Sequence, residues 1–257
     1  MRSLLRVALA AGAFYASAPA LADDPANVDS TYAIWLSRLS QRWSPPTPNP
    51  ESDRTVALTC IGTADHDRYV GILQRATIHA GIAAVEAVLD DIKHYKDLFP
   101  DTVDVHIVPG SQHGGRYVTA WEQRAPISIL PNVAYELEYS VDKIPTRAIY
   151  RYNLHRGAEL IASDGLLVLD AVAYDITQFT EYDFFLAHWG PLPASVVWRE
   201  SLSNAFLSDM AIALKAENPD WSYERIASEA RRMMDFQSDR MDRCFADRVT
   251  ANLRGEF

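Results

Sequence analysis

Tyrosine is the residue type with most chemistry to offer in this sequence. Tyr117, Trp121, Tyr135, Tyr139, Tyr150 and Tyr152 alternate with charged or polar residues, and Tyr182 and Phe184 continue the alternation in a later stretch. Leu137 and Leu169 fall in the same apolar phase. Aromatic rings bury much area, and a phenol needs a hydrogen-bond partner once it is buried. Two arrangements meet that need. One is an ordinary aromatic core. The other is a cavity whose phenols receive the polar end of a ligand while the ring faces hold its apolar body. Further on, Trp198, Leu202, Phe206, Met210 and Leu214 recur at helical spacing and would form an opposite wall. Met210 suits a site that accepts several shapes, and it suits a plain core contact equally well. His188 shares the phase of Tyr182 near a strand end, where it could titrate or donate to a ligand.

Catalytic motifs are missing. The sequence contains no H-E-x-x-H, G-x-S-x-G, phosphate-binding loop or dinucleotide glycine fingerprint. Gly110-Ser111-Gln112-His113 is too loose for a nucleophile elbow, and none of the seven histidines pair at the spacing of metal ligands. No catalytic residue, metal site or cofactor is therefore assigned. Asp170, inside the apolar run Leu166 to Tyr174, belongs on the outer face, because an unpaired buried carboxylate would cost several kcal/mol.

These side chains need a sheet to align them. Alternation predicts strands over Thr55 to Ile61, Tyr69 to Ile78, Val103 to Val108, Arg116 to Arg124, Val133 to Val141, Tyr150 to Leu154, Leu166 to Tyr174 and Glu181 to His188. Gly114-Gly115 and Asp164-Gly165 read as turns. In the last strand, Tyr182, Phe184, Leu186 and His188 are expected inward, with Glu181 and Asp183 outward. One charged face along the strands predicts an antiparallel sheet wetted on that side. Between the second and third strands, Val85, Val88, Leu89, Ile92, Tyr95 and Phe99 predict one amphipathic helix, stopped by Pro100. A long helix is expected from about Ala194 to Glu217, broken by Asn218-Pro219, with Ser222 capping a final helix that continues past Cys244.

The first 22 residues read as a cleaved export signal: Arg2 and Arg6, an apolar run, then Ala20-Leu21-Ala22 before Asp23. This predicts a periplasmic or secreted protein. The whole sequence has 24 basic and 34 acidic residues; without Arg2 and Arg6 the balance is 22 against 34, a net charge of −12. Such a surface repels nucleic acid and anionic lipid. No later apolar run is long enough to span a bilayer. Residues 23–54 hold a short helix from Val28 to Trp43 and a proline-rich linker, 55–219 form the main domain, and 220–257 form a helical extension.

The order of strand, helix ending in Phe-Pro, antiparallel meander and long C-terminal helix resembles the START-like (SRPBCC) superfamily. The matching residues are Val85, Val88-Leu89, Asp90-Asp91, Tyr95 and Phe99-Pro100, followed by the strand Leu166 to Tyr174 and the helix Trp198 to Leu214. The resemblance covers roughly Tyr69 to Glu217. It implies an α+β helix-grip fold: an antiparallel curved sheet wrapped around the long C-terminal helix, with a cavity for an apolar small molecule between them. It thereby favours the cavity over the filled aromatic core. Members include lipid and sterol carriers, ubiquinone-binding proteins and polyketide aromatase/cyclases. The expected partner is a hydrophobic small molecule or lipid; the rival expectation is an aromatase/cyclase-like enzyme using pocket tyrosines and His188. A purely structural protein would instead need a filled core and an exposed apolar patch.

Cys60 and Cys244 are the two cysteines, and two thiols carried into an oxidising compartment are expected to pair. Non-reducing peptide mapping of exported protein should recover Cys60 joined to Cys244; free thiols at both positions reject the pairing. Because the closed loop is long, loss of the bridge should cost roughly 2–5 kcal/mol.

Overall fold

In the computed structural model, which describes residues 57–61, 69–99, 101–125, 130–158, 160–187 and 194–233, eight strands form a single antiparallel sheet. They are β1 (Ala57–Ile61), β2 (Tyr69–Ile78), β3 (Thr102–Ile107), β4 (Arg116–Gln123), β5 (Val133–Ile144), β6 (Arg147–Gly157), β7 (Leu160–Ala173) and β8 (Ile176–Ala187). Their spatial order is β1-β2-β8-β7-β6-β5-β4-β3. Strands β3 to β8 form a meander, and β2 pairs along its whole length with the last of them. The connection from β2 to β3 must therefore travel from the strand next to one edge of the sheet to the opposite edge.

Helices make that crossing. Sequence periodicity predicts one continuous helix; the structure has α1 (Ile82–Asp90), a 3₁₀ turn (Ile92–His94) and a short α2 (Tyr95–Leu98). The break is at Asp91, which leaves helical geometry with φ −88° and ψ 53°. Its carboxylate instead accepts from the Tyr223 hydroxyl at 2.9 Å and lies 2.6 Å from His94 Nδ1. The apolar stripe survives the break: Val85, Val88, Leu89, Ile92, Tyr95 and Leu98 are all buried. Phe99 is extended, as expected of a residue before proline. Helix α3 (Ala194–Glu217) ends where Asn218 caps it, its Nδ2 donating to the Leu214 carbonyl at 3.0 Å. Helix α4 (residues 223–233 among those described) starts with the Ser222 hydroxyl accepting from the Arg225 amide at 3.3 Å. Helix α1 packs on α3, and Leu207, Met210, Ala211 and Leu214 of α3 share a buried core with Ile226 and Ala230 of α4.

The structure corrects three expectations. First, Asp164-Gly165 is not a turn. Both residues lie inside β7, opposite Asn153 and Tyr152, and the chain reverses between Gly157 and Leu160. Glycine is needed at 165 for space: a Cβ there would lie 1.8 Å from Cζ of Tyr152, whose ring occupies the position across the ladder. The glycine pair at 114 and 115 is the true tight turn, with φ of 56° and 80°.

Second, the phase of β8 is reversed. Glu181 stands opposite Leu167 and Asp183 opposite Gly165, within the inward rows. Tyr182 therefore pairs with Leu166 and Phe184 with Asp164, in rows that alternate with the inward ones. Apolar residues occupy both phases of this strand. Phe179, 1% exposed opposite the fully buried Leu169, decides which phase faces the core. Third, the outer face is not wet throughout: Val168, Gln178 and Thr180 are also buried. Asp170 is outward as expected, 3.3 Å from Arg147.

The Tyr152–Gly165 contact yields a test. Gly165→Ala should destabilise the protein by about 1–3 kcal/mol through overpacking. In a Tyr152→Leu background, which removes the obstructing ring, the same change should cost much less. Urea unfolding of the four proteins in the double-mutant cycle measures the coupling; additive effects would show that the ring does not require the glycine.

Candidate functional site

Two aromatic rows line the inward face. In one, Tyr117, Tyr139 and Tyr152 occupy matched positions on β4, β5 and β6. Tyr117 stacks on Tyr139 with ring centroids 5.0 Å apart, and Tyr139 meets Tyr152 at 5.4 Å. In the other, Trp121 lies parallel to Tyr135 at 6.2 Å and to Phe99 at 6.4 Å. The Trp121 indole N–H donates to Thr119 Oγ1 at 2.7 Å, so its polar atom is satisfied within the sheet.

The rows differ in how they are covered. Trp121, Leu137, Tyr150 and Leu169 are buried, as is Met210 opposite them on α3. Tyr117, Tyr135, Tyr139, Tyr152 and Leu154 pack on this core yet keep part of their surface uncovered. Desolvation is nevertheless the largest influence on the phenols of Tyr135, Tyr139 and Tyr152 and pushes them well above the usual phenol range. Uncovered surface on groups this far from bulk water marks an internal space. The charge of Asp183 raises all three phenols further, so at neutral pH they remain protonated donors.

Carboxyl groups bound the same space. Glu181 and Asp183 extend from β8; Asp209 faces them from α3. Glu181 and Asp209 are each 8% exposed, and their side chains hydrogen-bond to each other. The Tyr152 hydroxyl donates to Glu181 Oε1 at 3.4 Å, joining the aromatic row to the acids. Burial first, then the Glu181 charge and hydrogen bond, then Asp183, push the Asp209 carboxyl far above the ordinary range. Two carboxyls in contact cannot both ionise cheaply, so Asp209 holds its proton to higher pH than an ordinary carboxyl. The second Asp209 oxygen, Oδ2, is buried without a hydrogen-bond partner.

The residues singled out from sequence thus divide. Tyr135, Tyr139 and Tyr152 come together around the internal space. Trp121, Leu137, Leu169 and Met210 back it as core. Tyr150 is inward but committed elsewhere: its hydroxyl donates to Asp90 at 3.2 Å, beside the Lys143–Asp90 ion pair. Tyr182 and Phe184 occupy backbone positions in the alternate rows of β8, and their side chains lie outside the described residues. The side chains of Cys60, Leu202 and Phe206 lie outside the described residues, as do His188, Cys244 and the N-terminal 56 positions. Sequence reasoning missed Glu181, Asp183 and Asp209. A signal existed for Asp209, which lies three residues after Phe206 on the apolar stripe of α3.

No family model matches the sequence, and no curated protein does. Solved structures do match. Human STARD10 is similar at a TM-score of 0.50 and 13% identity, covering 84% of each chain. A STAR-related lipid transfer protein from Xanthomonas axonopodis matches at 0.47 and 12%, over 63% of this chain and 99% of its own. The Zhui aromatase/cyclase of Streptomyces sp. R1128 matches at 0.44 and 19%, over 64% and 94%. The fold is START-like: an open, curved antiparallel sheet carrying C-terminal helices, the helix-grip arrangement.

The carboxyl pair makes stability depend on pH in a stated direction. A carboxyl whose folded pKa is raised costs nothing while both states are protonated, below about pH 4. As pH rises above that, the unfolded chain releases its proton first, so stability falls until the folded pKa is passed. Asp209→Asn should therefore raise the melting temperature more at pH 8 than at pH 4. The pH dependence removed is at most about 1.4 kcal/mol per pH unit. Equal shifts at both pH values would show that Asp209 ionises normally in the folded protein.

Proposed function

We propose that this protein binds a hydrophobic small molecule, of lipid, isoprenoid quinone or sterol-like kind, between the inward sheet face and α3. The observation that carries this reading is the uncovered ring surface of Tyr135, Tyr139 and Tyr152 deep within the fold. A filled aromatic core would leave none. The START-like fold supports it, since the resemblance seen in the sequence implies a cavity at this place. Burial of an apolar body there supplies about 25 cal/mol per Å² removed from water, and the phenols orient its polar end. Among the described residues, no helix is long and apolar enough to cross a membrane. The signal-like first 22 residues and the two cysteines support a periplasmic or secreted location for this binding, where carriage of an insoluble molecule requires a closed cavity.

A second reading has one specific observation in its favour. The Asp209 carboxyl, hydrogen-bonded to Glu181 and with the Tyr152 phenol beside that residue, is an acid–base candidate that no sequence motif marked. An aromatase/cyclase-like protein would use it to move protons on a bound ring.

Native mass spectrometry of the full purified chain, followed by solvent extraction, should reveal a non-covalent apolar molecule. Leu154→Trp, which fills the uncovered inward surface, should reduce its occupancy at least tenfold while leaving the melting temperature within a few degrees. An empty protein, or unchanged occupancy in a folded Leu154→Trp variant, would overturn the binding reading. Conversion of the extracted molecule by wild type, lost in Glu181→Gln, would establish the enzyme instead.

A further inference from the structure

The stacked pair Tyr117 and Tyr139 carries two hydroxyls that the fold does not use. They stand opposite each other on β4 and β5, with ring centroids 5.0 Å apart and planes 5° apart. Directly opposed side chains on one face of a sheet leave it in the same direction, so the two hydroxyls end side by side at a similar separation. The neighbouring phenols are already bonded: Tyr95 donates to the Leu89 carbonyl, Tyr150 to Asp90 and Tyr152 to Glu181. Among the described residues, no group gives or takes a hydrogen bond at the hydroxyl of Tyr117 or Tyr139. The fully enclosed side-chain atoms without a partner are Thr102 Oγ1 and Asp209 Oδ2, so both phenol oxygens border open space. Burial is the largest influence on the two phenols and raises both above the ordinary range, which leaves a pair of O–H donors at neutral pH.

We infer that these two hydroxyls grip a single carbonyl oxygen, so that the ligand is a ketone, quinone or ester whose hydrocarbon body runs along the Tyr139–Tyr152 row. This rests on the binding reading above and narrows its ligand class. Two hydroxyls about 5 Å apart can each lie about 2.8 Å from one shared oxygen and meet its two lone pairs. A carbonyl has no proton of its own, so nothing is left unmet when both phenols donate to it. An alcohol in the same place keeps an O–H that two donors aimed at its oxygen cannot satisfy. A carboxylate would give up its hydration for two neutral donors, because the cation that acts on Tyr117, Lys143, is held by Asp90 and Glu86. A plain hydrocarbon offers neither hydroxyl a partner.

The test is isothermal titration calorimetry of the full chain with 2-decanone, 2-decanol and decanoate, each below its solubility limit. The ketone should bind at least tenfold more tightly than either of the others. Tyr117→Phe and Tyr139→Phe should each lower that preference at least threefold, and the double variant should abolish it. Tyr174→Phe, the same change at a residue 99% exposed, should leave it intact. A second readout is independent of affinity: the infrared carbonyl stretch of bound 2-decanone should lie below its frequency in hexane and return toward it in the double variant. Because neither hydroxyl has a partner within the protein, neither substitution should lower the melting temperature; a fall of several degrees in both would show that the hydroxyls serve the fold and overturn the clamp. Decanol or decanoate binding as tightly as the ketone overturns the carbonyl assignment alone, as does a preference or a stretch that the double variant leaves unchanged. Binding of none of the three overturns the apolar cavity as well.

Discussion

Pairing of β2 with β8 is the contact from which the other features follow. It joins Tyr69–Ile78 to residues about a hundred positions later, from Ile78 opposite Thr177 to Tyr69 opposite Leu186. Closing so long a loop costs entropy before any contact repays it. Repayment comes from the buried residues at the junction, where Ile78 stands opposite the buried Thr177 and Phe179 meets Leu169 across the next ladder. The pairing also fixes the route of the helices, since β3 is at the opposite edge. The segment holding α1 and α2 has to cross the sheet, and its apolar stripe is the surface it lays down.

Helix α1 could have continued through Asp91; the surroundings account for its stopping there. The Asp91 carboxylate meets His94 within its own segment and Tyr223 at the start of α4, and the His94 and Tyr223 rings stack at 4.6 Å. One broken turn thereby ties the crossing segment to the last described helix. On the other side, Lys143 of β5 reaches Asp90 and Glu86, and Tyr150 donates to Asp90. These exposed or half-exposed contacts are individually modest. Their effect is to hold α1 over the sheet at a defined place.

The inward face then combines two chemistries. Phenols at one end of the space are held protonated by burial and nearby carboxylates. Beside the Tyr152 phenol, burial and the neighbouring Glu181 keep the Asp209 carboxyl protonated well above the ordinary carboxyl range. Gly165 is the small detail that admits the Tyr152 ring between them, so the row reaches Glu181 without interruption.

Much of this was legible in the residues alone. Alternation placed six meander strands, periodicity found the stripe of α1 and the end of α3, and the α+β helix-grip fold followed from their order. Tyr135, Tyr139 and Tyr152 were marked as inward because their own strands carry charge on one face and aromatic rings on the other. What sequence alone did not decide was phase and partner. In β8, apolar residues occupy both phases, so the inward face depends on which of them finds a neighbour, and Phe179 finds Leu169. Glycine at 165 reads locally as a turn, because the ring that demands it belongs to another strand. Asp209 carries no sign in its neighbours that two acids of β8 will face it. Each of these depends on side chains far apart in sequence meeting across a ladder or a helix–sheet contact, and only the tertiary structure brings them together.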